Sequence, residues 1–311
     1  MRLRASTWRN SDRIELIRSP GHQTHKRSFL VYLSASPEQQ PNWCLDQKRS
    51  FDIAVRHHAE PAQNNPLLAA ADYVLTGGFS KFHSASQFLK LPQLHKAYSG
   101  YLFLDGDVEF EPGAIDRLFA IASLLKLDLA QAALTTDSFS SWPVTRASEK
   151  FVCRQTSFVE VMAPYLSSDA LDRVLPTFDQ SISGYGLDFA WACILKRQRI
   201  GIIDDVRMRH TKPVDKTAGS FYLYLKSIGV DPDAEQAMMF ERFGISRLER
   251  PHDVAGYMLP DPEIRVELLR VPLLQLPRIV ARFMRWQDSL ACLLARSLAG
   301  NQVIKLPHPL P

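Results

Sequence analysis

The chain has 311 residues, 46% of them hydrophobic and 23% charged, which suits an ordinary globular protein of one large domain or two small ones. No run of about 18 uninterrupted apolar residues is present, so no spanning helix is expected, and no apolar stretch follows Arg2 and Arg4 to form a secretory signal. The net charge of +4 hides a division: residues 1–27 and 264–311 each hold seven Lys/Arg against two Asp/Glu, which leaves an acidic body between two basic ends. A nucleic-acid binder carries its basic patch on the folded domain, so nucleic acid is not an expected partner; an acidic body suits cation binding. Cys44, Cys153, Cys193 and Cys292 have no paired spacing and read as reduced thiols of a cytoplasmic protein.

Residues 1–27 are polar and aperiodic apart from a short IELI, and read as a loose extension. The body, 28–262, opens with SFLVYLSAS (28–36), a buried strand; FDIAV (51–55) and DYVLTGG (72–78) are two more, the last closed by glycines. SKFHSASQFLKL (80–91) has helical spacing at Phe82, Ala85, Phe88 and Leu89. YLFLDGD (101–107) is a fourth strand, and GAIDRLFAIASLLKL (113–127) a helix with Ile115, Leu118, Phe119 and Ala122 on one face. LAQAAL (129–134) is a further strand. Apolar strands alternating with helices predict an α/β fold, a mostly parallel sheet with helices on both faces. TSFVEVMAPYLSSDALDRVLP (156–176) predicts a helix around Pro164. SGYGLDFAWACILKRQ (183–198) predicts a glycine-rich turn opening a helix, and RIGIIDDVRMRH (199–210) a strand pair or one bent strand. From 263 to 311 the chain changes character: 266–300 is helical, broken at Pro272 and Pro277.

Ligands of such sheets bind beyond the carboxyl ends of the strands, where Asp105, Asp107, Ser34, Gly77 and Gly78 fall. An Asp-x-Asp at the end of a buried strand holds a divalent metal on a diphosphate, because carboxylates are hard donors and residues i and i+2 share a strand face. Two turn residues after a strand would give the same letters. In GYGLD (184–188) two glycines let the backbone pass close to a substrate, and Asp188 opens the next helix, where an aspartate also serves as a cap. His210 follows a strand; taken alone it reads as structural. Asp204 and Asp205 read as structural.

Together these features resemble the GT-A type of nucleotide-sugar glycosyltransferase. More closely, the chain is similar to the domain-of-unknown-function 707 family of plant and bacterial proteins over about residues 28–215. The resemblance is carried by FVEVMAPYLS (158–167), GYGLDFAW (184–191) and IGIIDDVRMRH (200–210), with YLFLDGDVE upstream. Tyr185 stands where that family usually has Trp, and only two acidic residues occupy the strand-end motif. The resemblance implies a GT-A-like fold and a metal-dependent enzyme that moves a sugar from a nucleotide-sugar donor to a glycan or lipid-linked acceptor. It implies that Asp107 binds Mn²⁺ or Mg²⁺ directly, with Asp105 on the ribose or a metal water and His210 as the third protein contact. Asp188 would be the general base of an inverting reaction. Lys81 would face the nucleotide and Ser34 would line the base or ribose pocket, with Tyr185, Gly186 and Trp191 on the acceptor side.

Two other readings share these residues. A haloacid-dehalogenase-type phosphohydrolase also begins from a strand ending Asp-x-Asp, with Asp105 as covalent nucleophile, AALTT as its Thr strand and GIIDD as its late acidic strand. A non-catalytic nucleotide-sugar binding module would keep the fold without turnover. In the tail, Arg278, Arg282 and Arg285 form one stripe beside Ile279, Val280, Phe283, Trp286 and Leu290. Such a basic amphipathic helix lies on an anionic surface, here the inner face of the membrane, or packs on the body or a second subunit.

Overall fold

The computed structural model describes residues 11–20, 27–35, 42–45, 48–58, 65–91, 94–246 and 250–258. In chain order these form β1 (Ile14–Arg18), β2 (Phe29–Ala35), β3 (Phe51–His57), α1 (Pro66–Ala70), β4 (Tyr73–Gly77), α2 (Lys81–Leu89), β5 (Gly100–Asp105) and β6 (Val108–Phe110). They continue as α3 (Ala114–Leu124), β7 (Leu129–Leu134), β8 (Phe151–Thr156), β9 (Tyr165–Ser167), α4 (Ser168–Val174), α5 (Leu187–Ile194), β10 (Ile200–His210), α6 (Ser220–Ser227), α7 (Pro232–Phe243) and β11 (Asp253–Met258). The arginine stripe expected at 278–285 lies outside the described residues, as does Cys292. Among the described residues no helix is long and apolar enough to cross a membrane.

One mixed sheet runs β1-β4-β3-β2-β5-β9-β7-β10-β8-β11, with β6 laid on β10. β4, β3, β2 and β5 are parallel, as are β7 and β10. The expected α/β architecture is therefore present, with helices on both faces. Along β2, Val31, Leu33 and Ala35 pack with Leu67 of α1 and Ile115, Leu118 and Phe119 of α3. Leu30 and Tyr32 pack with Phe82 and Phe88 of α2, Leu171 of α4 and Trp191 of α5. Each large apolar side chain buried this way contributes about 1.5–3 kcal/mol, which is why the strands are apolar on both faces.

The structure departs from the sequence reading in three places. The expected loose extension contains β1, which pairs antiparallel with β4, Ile14 opposite Gly77. No helix forms around Pro164. Instead the N–H of Phe103 donates to the Pro164 carbonyl (3.0 Å) and that of Asp105 to Met162 (2.9 Å), so the segment runs beside β5 into β9. A proline inside a helix removes a backbone donor, and α4 starts only after it, capped by Ser167 Oγ, which accepts from the N–H of Ala170 at 3.2 Å. Third, β8, β11, α6 and α7 enlarge the second half beyond the elements read there.

β10 is one bent strand. Its register on β7 shifts between Ile203 and Arg207, and its last residues leave for β6, with His210 opposite Val108. The acid pair on β10 is structural. Buried Asp204 accepts from Arg154 Nε and Nη2 (2.9 Å each) and from the N–H of Ser148 (2.8 Å), while Arg154 Nη1 also reaches Asp253 at 3.0 Å. Asp205 accepts from Arg117 Nε of α3 at 2.8 Å. These links tie β10, β8, β11 and α3 together behind the site.

Candidate functional site

β5 ends at Asp105, Gly106 and Asp107 form a turn, and the chain returns as β6. Asp107 is therefore off the strand, and the two carboxylates do not share one strand face. Because β6 pairs with the end of β10, the His210 imidazole arrives at this turn, Nε2 3.6 Å from Asp107 Oδ1. The N–H and hydroxyl of Thr211 both donate to the Asp107 carbonyl at 3.0 Å. His210 Nδ1 lies 2.9 Å from the Phe139 carbonyl. A carbonyl only accepts, so Nδ1 carries the hydrogen and Nε2 is presented to Asp107. Burial pulls the His210 pKa down, but Asp107 outweighs it and leaves it above the ordinary value. Burial pushes Asp107 up, and His210 outweighs that too, holding the carboxyl below its ordinary range.

Lys81, the first residue of α2, is buried. Its Nζ ion-pairs with Asp105 Oδ1 at 2.8 Å and donates to the carbonyls of Val161 (2.6 Å) and Met162 (3.1 Å). Those three partners match the three N–H bonds of an ammonium. Lys81, expected to face the nucleotide, clamps Asp105 to the 161–162 backbone. Burial lowers the Lys81 pKa despite Asp105, and raises that of Asp105 despite Lys81.

Among the described residues no group of three or more His, Cys, Asp or Glu side chains is placed to hold a metal ion. The expected trio of Asp105, Asp107 and His210 is not formed, because Asp105 is turned to Lys81. The remaining pair, Asp107 and His210, fits an ion that arrives on a diphosphate, since such ions take one or two carboxylates and fill their shell with phosphate oxygens and water. An imidazole whose far nitrogen is fixed on a carbonyl is also the arrangement of a ligating histidine.

Ser34, next to last in β2, pairs with Asp105 on one side and Arg56 on the other. Arg56, which the sequence reading missed, is buried at the carboxyl end of β3. It donates from Nη1 to Ser34 Oγ (3.1 Å), from Nε to the Gly77 carbonyl (2.9 Å) and from Nη2 to that of Gly78. A cation at the end of an otherwise buried strand was the available signal. Gly77 and Gly78 adopt φ of 80° and 72°; a Cβ on Gly78 would come 2.4 Å from Ser84 Cβ, so only glycine lets β4 turn into α2 here. Ser80 Oγ and Tyr224 Oη, the latter close enough to Arg56 to feel its charge, are buried polar atoms without hydrogen-bond partners among the described residues.

On the opposite side, Asp188 lies in the first turn of α5 and its Oδ1 accepts from the N–H of Phe189 at 2.9 Å. Burial pushes its carboxyl up to about 8; Glu160 adds to the rise and backbone hydrogen bonds oppose it. The loop before α5 is held by Glu235 of α7, which accepts from the N–H groups of Ile182 and Ser183 at 2.8 Å and from Ser181 Oγ at 3.1 Å. Glu160, also missed from sequence, is buried close enough for its charge to act on Asp188, Asp105 and His210, and burial raises it to about 7.

Two acceptor-side expectations are corrected. Trp191 is fully buried; its Nε1 donates to Thr177 Oγ1 at 2.9 Å and its ring meets Phe82 edge-on at 5.1 Å, so it is core. Gly186, at φ 82°, faces α7: a Cβ there would lie 2.8 Å from Met239 Cβ. It serves helix packing, not an approaching ligand. Tyr185 stays half-buried, its hydroxyl 2.7 Å from that of Tyr222 and the Lys216 ammonium 5.1 Å from its ring centre. Gly186→Ala is expected to destabilise the fold by about 1–3 kcal/mol through left-handed strain and the Met239 clash, read as a lower urea midpoint with unchanged slope. An unchanged midpoint would show that α5 does not seat on α7 as described.

No protein-family model matches the chain, and no curated protein does, so the similarity to the domain-of-unknown-function 707 family rests on the quoted motifs. Among solved structures, the S. aureus TarS 1–349 fragment in complex with UDP-GlcNAc is 12% identical over 71% of this chain and 74% of its own, at a TM-score of 0.42. Glucosyl-3-phosphoglycerate synthase from Mycobacterium tuberculosis, in complex with Mn²⁺, UDP-glucose and phosphoglyceric acid, is 10% identical over 80% and 98%, at 0.40. The chain spans 44% of the longer S. aureus TarS chain, which it matches at 11% identity and 0.40. TM-scores this low carry no argument about function, which rests on the chain's own site.

Proposed function

We infer that the chain is a glycosyltransferase that moves a sugar from a nucleotide-sugar donor to a hydroxyl of a glycan or lipid-linked acceptor. One observation carries the reading. At the carboxyl edge of the parallel strands, a carboxylate–imidazole pair suited to a metal-borne diphosphate shares a single cluster of interacting charges with a buried carboxyl suited to take up a proton. A divalent ion, Mn²⁺ or Mg²⁺, held by Asp107 and His210 would neutralise the charge that develops on the leaving diphosphate. Lys81 keeps Asp105 aimed along the same edge, where it meets the ribose or the water shell of the ion. Arg56, Ser34, Ser80 and Tyr224 line the nucleoside end. Asp188 takes the proton from the acceptor hydroxyl as the hydroxyl attacks the anomeric carbon, and a base on that side gives inversion.

The phosphohydrolase reading asks for a late acidic metal ligand on the strand that carries Asp204 and Asp205. Both carboxylates are taken up by arginines, which weighs against it.

A thermal-shift screen of nucleotide sugars with and without Mn²⁺ tests the reading. The wild type is expected to gain stability with one nucleotide class only when Mn²⁺ is present, by about 2.7 kcal/mol at a hundredfold excess over Kd. Asp107→Ala is expected to lose that gain. A metal-independent shift retained in Asp107→Ala, or no shift with any nucleotide sugar, rejects it.

A further inference from the structure

Glu160 lies between β8 and β9 and is pinned on both sides. Its N–H donates to Gln131 Oε1 at 2.6 Å, and the carbonyls of the next two residues accept from Lys81, the residue that also holds Asp105. The side chain is 7% exposed. Ser141 hydrogen-bonds to the carboxyl, yet Oε2 has no hydrogen-bond partner among the described residues. Buried polar atoms are almost always satisfied within the fold or by something that binds, so an orphan on a backbone held this firmly is an acceptor prepared for a donor. The groups whose charges act on Glu160 place it: Asp105, His210 and Lys81 at the diphosphate end, and Asp188 at the proton-accepting end. In a displacement the transferred sugar occupies the space between leaving group and base. A side chain coupled to both ends therefore borders the sugar ring.

Resting on the glycosyltransferase reading, we propose that Glu160 reads the donor sugar, its Oε2 accepting a hydrogen bond from one ring hydroxyl. An acceptor built for a hydroxyl discriminates against a sugar lacking it, because binding that analogue leaves the buried oxygen unpaired. Glu160 thus selects the sugar, while Arg56, Ser34 and the Asp107–His210 pair hold the nucleotide.

The test is calorimetric titration of the full chain with Mn²⁺. The probes are UDP and GDP, their glucose, galactose and N-acetylglucosamine conjugates, and monodeoxy versions of whichever conjugate binds tightest. Glu160→Leu, close in size but without a hydrogen-bonding group, is expected to bind the nucleoside diphosphate as the wild type does and the conjugate about tenfold more weakly. In the wild type, removal of one particular hydroxyl is expected to weaken binding about tenfold, and that penalty is expected to vanish in Glu160→Leu. Equal weakening of diphosphate and conjugate in the variant, unchanged conjugate binding, or deoxy penalties that persist in the variant would each overturn the proposal. A wild type that binds the diphosphate but gains nothing from any sugar overturns it as well. A wild type that binds none of these probes removes the glycosyltransferase reading and this inference together.

Discussion

Asp188→Asn is expected to bind nucleotide sugar like the wild type and to transfer it about 10²- to 10⁴-fold more slowly, the usual contribution of a positioned general base. Initial rates against acceptor, paired with calorimetric binding of the donor, separate the two effects. A loss below tenfold would remove Asp188 as the base. The pH dependence follows from its burial. The base form accumulates only above the raised pKa, so wild-type kcat/KM is expected to rise with pH and level off above about 8. The Asn variant is expected to lack that limb. Stability moves the other way. The folded-state pKa stands above that of the unfolded chain, so between about 4 and 8 the native state binds the extra proton. This contribution is complete below the unfolded value and is lost as pH rises through the folded one. Asp188→Asn does not carry that loss. Between pH 5 and 8.5 the wild type is therefore expected to lose roughly 4 kcal/mol relative to the variant, read from urea midpoints at the two pH values. A variant that is more stable at high pH and inactive is the mark of a carboxyl kept buried for chemistry.

The other large effect is structural. Among the described residues, Asp204→Ala leaves buried Arg154 with the exposed Asp253 as its remaining ion-pair partner. Breaking a buried ion pair from one side costs about 3–5 kcal/mol, because the stranded charge keeps its desolvation penalty. Urea denaturation is expected to show that loss, and metal-dependent donor binding is expected to survive at temperatures where the variant remains folded. The phosphohydrolase reading expects the reverse, lost metal-dependent binding with little change in stability.

Much of the first half was legible from the chain. From 28 to 134 the strands β2, β3, β4, β5 and β7 are apolar runs and α2 and α3 amphipathic repeats, because helices cover both faces of a parallel sheet and leave no polar side to confuse the pattern; short β6 and α1 carried no such signal. The second half was not. Its antiparallel strands β8 and β11 are pinned by an ion pair between buried Arg154 and exposed Asp253, residues far apart in sequence. The proline at 164 was read inside a helix because the flanking apolar spacing fits one. Only pairing with β5, from which β6, β7 and β8 separate it in the chain, shows that the segment is extended. At the site, the types of residue were readable and their meetings were not. Asp105 and Asp107 looked like one ligand pair by alternation along a strand, until the turn at Gly106 and the pull of Lys81 parted them. Gly186 and Trp191 looked exposed to a ligand because nothing in GYGLDFAW announces that Met239 and Phe82 pack on them.

The sequence by itself therefore determined the layered α/β body and the acidic and histidine residues at its strand ends, because burial period and residue chemistry are local properties. Which of those residues face one another was decided by the tertiary structure alone. The bend of β10 sets His210 against Asp107, α2 carries Lys81 to Asp105, and the 157–164 segment brings the Glu160 charge within reach of Asp105, His210 and Asp188. Each of these meetings joins separate elements of the chain, and its energy comes from burial and charge pairing that exist only after the sheet has formed.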